Sequence, residues 1–235
     1  MAKRNRGKQP NDDKLFASRW HPIFKEACDD LCFLLSRGYG GKSALEIVGN
    51  RYKLNKRQRQ AIQRISASKQ EIQTRLKSQC APEFLAKQQI EIDGFNLLIL
   101  LESALSGGYI LKGRDGTYRD MSSVHGSYKR VLQTENAILL VGKALQSLEV
   151  GGVKWYLDQP ISNSGRLKSR LLELSEIHQF GWEVELDYSP DKVLAESPHI
   201  VVSSDAWILN EAKRWFNLGA HIIEKQLLET LVIAV

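Results

Sequence analysis

Three aspartates in this sequence stand where short apolar runs end. Asp93 closes Gln89-Ile90-Glu91-Ile92, Asp158 closes Val153-Lys154-Trp155-Tyr156-Leu157, and Asp205 follows His199-Ile200-Val201-Val202-Ser203-Ser204. In an open parallel sheet, ligands bind outside the carboxyl ends of the strands, so a polar residue at a strand's last position is a site candidate. One such aspartate is ordinarily only a helix N-cap. Three on one edge form a carboxylate set that repels itself unless a cation neutralises it, and hard oxygen donors suit Mg²⁺ or Mn²⁺. Asp93-Gly94-Phe95-Asn96 adds a glycine for a tight turn and an amide able to bond a carboxylate or a phosphate. Ser203-Ser204-Asp205 adds hydroxyls at a helix start, where N–H groups favour anions.

A second constellation runs from Asp158 to Arg166. Pro160 fixes the turn, Ser162, Asn163 and Ser164 place small polar groups at a helix start, and Arg166 and Lys168 bring positive charge one turn later. The segment reads equally as a substrate-phosphate cradle and as an ordinary capped helix. Residues 112–128, with Arg114, Asp115, Arg119, Asp120 and His125, make a long polar loop, a functional segment by its length, with His125 as a candidate general base.

The elements that must position these residues follow from periodicity. Strands are expected at 89–93, 109–111, 153–157, 182–186, 199–203 and 220–223, and helices at 95–105, 135–148, 165–178 and 206–216. Strands alternating with helices predict an α/β fold with a mainly parallel sheet flanked by helices. Residues 89–235 are one such domain. The apolar tail, 227–235, either packs on it or forms a contact between copies, so a homo-oligomer stays open.

The first 88 residues differ in kind. They hold 19 Lys+Arg against 8 Asp+Glu, whereas residues 89–235 hold 14 against 19, within a formal net charge of +6. Residues 1–14 lack apolar periodicity and read as a disordered basic tail. Residues 15–88 read as a small all-α, helix-turn-helix-like module, with Asn55 and Gln58 set to form a capping box for its third helix and 66–88 as a polar connection. On that helix Ala61, Ile62 and Ile65 share one face. Lys56, Arg57, Arg59 and Arg64 lie opposite, and Arg51 and Lys53 extend the patch from upstream. This cationic face is expected to contact nucleic-acid phosphates, against the alternative of a solvated surface. No apolar run approaches the roughly 20 residues of a membrane span and the start lacks a secretory signal, so a cytoplasmic, membrane-free protein is expected. The three cysteines read as free thiols.

The strand with Asp93-Gly94-Phe95-Asn96 resembles the opening motif of the PIN and NYN nuclease-like superfamily, and residues 199–224 are similar to its later segment. The resemblance covers roughly 89–226 and implies a Rossmann-type three-layer fold with Asp93 and Asp205 as metal ligands. Asp158 and Glu135 are the choices for the middle acidic positions, with Asp120 and Glu211 in reserve. The residues and the resemblance together lead to the expectation of a Mg²⁺- or Mn²⁺-dependent nuclease, an endoribonuclease with RNA as favoured substrate, in which Asp93, Asp158 and Asp205 are catalytic and Asn96, Ser162, Asn163, Ser164, Arg166, Ser203 and Ser204 contact substrate; the resemblance itself names no substrate. The alternative is a PIN-like protein that binds nucleic acid or a partner without catalysis. A Toprim-type reading fails for want of a glutamate ending the first strand and a later Asp-x-Asp pair.

Overall fold

The computed structural model describes residues 6–122 and 128–235. His125 lies outside the described residues. The chain opens with α1 (Asp12–Leu15), α2 (His21–Ser36), α3 (Gly41–Arg51), α4 (Lys56–Ile65) and α5 (Lys69–Ser78). At α4 the Asn55 side chain accepts from the Gln58 N–H, and Gln58 Oε1 accepts from the Asn55 N–H, which is the capping box expected from the sequence. Ser68 and Glu71 form a second capping box on α5, inside the stretch read as a polar connection.

Beyond residue 88 come β1 (Gln89–Asp93), α6 (Gly94–Leu105), β2 (Tyr109–Lys112), β3 (Tyr118–Asp120), α7 (Thr134–Ser147), β4 (Gly152–Asp158), α8 (Ser164–Ile177) and β5 (Trp182–Asp187). The chain ends with α9 (Pro190–Ala195), β6 (Ile200–Val202), α10 (Ala206–Glu211), α11 (Leu218–Gln226) and β7 (Leu231–Ala234). Among the described residues, four strands form one wholly parallel sheet in the order β5-β4-β1-β6, and three form a second in the order β3-β2-β7. Strand order thus reverses beside β1: the chain moves outward from β1 through β4 to β5, then crosses back to place β6 on the other side of β1. The strands alternate strictly. Ile90, Ile92, Val153, Trp155, Leu157, Ile200 and Val202 face the large core with α6, α7, α8 and α11. Tyr156 and Val201 face the other way, onto Leu194 of α9 and Ile208 and Leu209 of α10. Helices therefore cover both faces.

Two expectations are corrected and one left open is decided. Residues 220–223 are helical within α11, because the Asn217 side chain accepts from the Ala220 N–H and caps a helix start. The tail packs on the domain, one of the two outcomes left open, as β7 running parallel to β2. Finally, the loop at 112–128 contains β3, antiparallel to β2.

The helical module and the α/β domain do not part cleanly at residue 88. Leu111 and Ile233 of the second sheet, and Met121 just past β3, lie in the same core as Phe24, Leu31, Val48 and Ile62. The segment read as a tail is held from Arg6 onward, where Arg6 ion-pairs with the fully buried Glu102 and Asp12 takes a bidentate grip from Arg57. Among the described residues no helix is long and apolar enough to cross a membrane. Cys28, Cys32 and Cys80 are free thiols.

Candidate functional site

The site is built where β1 hands over to α6. Asp93 caps α6 by accepting from the Asn96 N–H, and Ser203 Oγ donates to its other carboxyl oxygen at 2.7 Å. Ser203 lies just past β6 and in turn accepts from the Asp205 N–H. Asn96 Oδ1 accepts from both the N–H and the hydroxyl of Ser204. The two motifs singled out in the sequence, more than a hundred residues apart, are thus stitched together across neighbouring strands. Gly94 permits this closeness. A Cβ there would meet Leu157 Cδ2 at 2.5 Å and the Tyr156 carbonyl oxygen at 2.9 Å, so any side chain would push β4 away.

Among the described residues no Lys or Arg ion-pairs with Asp93, Asp158, Asp191 or Asp205. Burial pushes the Asp93 carboxyl up to about 7, Ser203 and Asn96 pull it down, and the negative charges of Asp191 and Asp205 raise it further. Asp158 is raised by burial. Asp191, in the first turn of α9, is raised first by burial and then by Asp205 and Asp158. Asp191 thus feels both Asp205 and Asp158, and Asp93 feels Asp191 and Asp205, so the four aspartates are electrostatically linked. Sequence reasoning missed Asp191 because α9 has only six residues, although Pro190 at its first turn is a start signal.

The remaining expected site residues fall elsewhere. Glu135 is tied to Arg170 of α8 at 2.9 Å, so its role as a fourth ligand is corrected to an ion pair between helices. Ser162 gives its carbonyl to the Tyr128 N–H, the Asn163 amide donates to the Tyr128 carbonyl, and Ser164 Oγ donates to the Gln159 carbonyl. These residues fasten the loop, leaving the exposed Arg166 as its outward cation. On α4, Arg57 is engaged by Asp12 and the Met121 carbonyl, and Arg59 by the Leu54 carbonyl and Asn50. Arg51 sits near Asp30, while Lys53 and Lys56 are exposed. Arg64 alone of the set reaches the acidic edge. It lines a cleft of about 360 Å³ together with Asn96, Asp120, Ser204 and Asp205.

The donor chemistry at the edge suits a hard divalent cation in kind, since it is all carboxylate and hydroxyl oxygen. As placed, the described residues gather no group of three or more acidic, histidine or cysteine side chains able to hold one ion. The fit is therefore to an ion held by one or two carboxylates and completed by water and substrate oxygens, a mode Mg²⁺ commonly adopts.

Residues 82–221 match the model of a domain of unknown function, DUF5616, and residues 23–77 match a protein of unknown function, DUF434. The chain is 34% identical over 188 residues to Uncharacterized protein MJ0935 of Methanocaldococcus jannaschii, a match covering 77% of this chain and 89% of that protein. No solved structure matches it.

Proposed function

Since the chain belongs to the DUF5616 family, whose function is unknown, we propose a function from its site: a metal-dependent nuclease, with RNA as favoured substrate, on a PIN/NYN-like fold. One observation carries the reading. Asp93, driven up to about 7, feels the charges of Asp191 and Asp205, and Asp191 those of Asp205 and Asp158, with no Lys or Arg among the described residues bonded to any of the four. Mutual repulsion costs stability, and such arrangements concentrate at functional centres. A bound Mg²⁺ or Mn²⁺ would neutralise that charge, lower the pKa of a bound water and polarise a phosphodiester.

The chain's own groups have separable tasks. Asp205 has one carboxyl oxygen taken by the N–H groups of Trp207 and Ile208, which fixes the side chain and leaves the other oxygen for a ligand. Ser203 orients Asp93 through the hydroxyl it donates, and Asn96 holds the Ser204 turn in place. In the metal-free protein burial holds the Asp93 carboxyl up to about 7, a penalty that a bound cation would relieve.

The test is hydrolysis. Purified protein should cleave single-stranded or structured RNA only with Mg²⁺ or Mn²⁺ added, and Asp93→Asn and Asp205→Asn should each abolish cleavage while the fold persists. Cleavage retained in both variants would overturn the proposal. A second reading, nucleic-acid binding without hydrolysis, is favoured by the absence of a three-ligand group among the described residues. It predicts RNA binding with no cleavage at any metal concentration.

A further inference from the structure

The cleft between the helical module and the acidic edge holds unequal walls. Arg64, at the C-terminal end of α4, has one partner among the described residues, the Ser122 carbonyl, which its Nη2 reaches at 3.2 Å. Most of its N–H groups have none. Gln63 beside it is exposed, and the Asn96 amide nitrogen is unengaged because that residue bonds Ser204 through its oxygen. Arg119 and Arg75, deeper in the cleft, differ. Both are clamped on Asp115, and Arg119 also donates to the Ser204 carbonyl. Across from these donors stand two carboxylates, Asp120 and the free oxygen of Asp205. Three arginines are thus balanced by Asp115, Asp120 and Asp205. A bare polyanion would prefer an all-positive wall. A ligand with both acceptors and a donor, closely spaced, matches this one.

We propose that the cleft seats one ribose-phosphate unit of single-stranded RNA, its phosphate oxygens accepting from Arg64, Gln63 and Asn96 and its 2′-hydroxyl donating to Asp205 or Asp120. The inference rests on the reading of the edge as a nucleic-acid site and adds what that reading lacks, a reason for RNA over DNA. A 2′-hydroxyl is both donor and acceptor, and DNA offers nothing in its place. Each carboxylate already has one oxygen held by backbone N–H groups, from Ser122 for Asp120 and from Trp207 and Ile208 for Asp205, so a deoxy ligand forgoes the hydrogen bond its second oxygen would accept.

Binding measured in EDTA separates this from catalysis. A fluorescent single-stranded RNA and the DNA of the same sequence are titrated by anisotropy across a salt series against wild type, Arg64→Gln and Gln63→Glu. Wild type should prefer RNA by about 10-fold, the effect of one charge-assisted hydrogen bond. Arg64→Gln should reduce the log–log salt slope by about 0.7, one phosphate contact on a single strand. Gln63→Glu, at an exposed position, should weaken RNA binding without disturbing the fold. Equal binding of RNA and DNA, or a slope unchanged in Arg64→Gln with Gln63→Glu also silent, overturns the proposal. RNA preference and a flattened slope without cleavage under any metal would leave it standing while the nuclease reading falls. Metal-dependent cleavage with an unaltered slope would do the reverse.

Discussion

Asp115, in the turn between β2 and β3, and Asp93, at the end of β1, both hold carboxyls withdrawn from water, yet their surroundings treat the charge oppositely. Burial would raise Asp115, but Arg119, Thr117 and Arg75 all donate to it and hold it well below the usual carboxylate range. Asp93 has a hydroxyl, a backbone N–H and two repelling aspartates, and stands near 7. The first region is a clasp: Arg75 reaches from α5 to Asp115 and to Asn210 of α10, tying the helical module to the sheet. Its charges answer each other inside the chain. At the strand edge they do not, and unanswered buried charge is what a cation or proton must complete. The lesson is that burial of an acid says little about its role until its partners are counted.

The two regions should respond oppositely to loss of their acid. Asp115→Ala strands two buried guanidinium groups and should cost about 3 to 5 kcal/mol, the usual penalty for breaking a buried pair. Urea unfolding measures it, and a loss below about 1 kcal/mol would dissolve the contrast. Because the folded state holds Asp115 deprotonated more strongly than the unfolded chain does, its contribution is present above the ordinary carboxylate range and fades as pH falls. Asp93 has the reverse sign. Its folded state favours the proton, so a penalty is absent below about pH 4, grows as pH rises and is complete above about 7. Asp93→Asn should therefore stabilise the metal-free protein by on the order of 2 to 4 kcal/mol at about pH 8, with no gain at about pH 4. A gain independent of pH would assign it to packing. Gly94→Ala should cost about 1 to 3 kcal/mol by forcing β1 and β4 apart, and should lower activity more than stability. Asp191→Asn, at an exposed helix start, should move stability by less than about 0.5 kcal/mol while weakening metal dependence.

The edge was legible because its signals are local. Each strand is a short apolar run, each aspartate sits at its end, and the Asp93-Gly94-Phe95-Asn96 and Ser203-Ser204-Asp205 motifs each occupy three or four residues. The clasp was not, since Arg75, Asp115 and Asn210 come from three distant segments and no periodicity links them. Arg57 shows the same limit. Its spacing on α4 placed it correctly on the polar face, but only tertiary structure brings Asp12 to it. The last expected strand failed for another reason: Ala220 to Ile223 is apolar and short, which fits a buried strand and a buried helix alike, and the Asn217 cap decides. The Ser68–Glu71 capping box of α5 was visible in the sequence and outweighed by the polarity around it.

The central claim is that the strand-edge charge is completed by a divalent cation. Thermal unfolding of wild type and Asp93→Asn at about pH 8, across Mn²⁺ concentrations, tests it without any assumption about substrate. Saturation at about 100 times the dissociation constant should stabilise wild type by about 2.7 kcal/mol. The variant, already relieved of its charge, should start higher and gain little. Equal gains in both proteins, or none in wild type, would contradict the account.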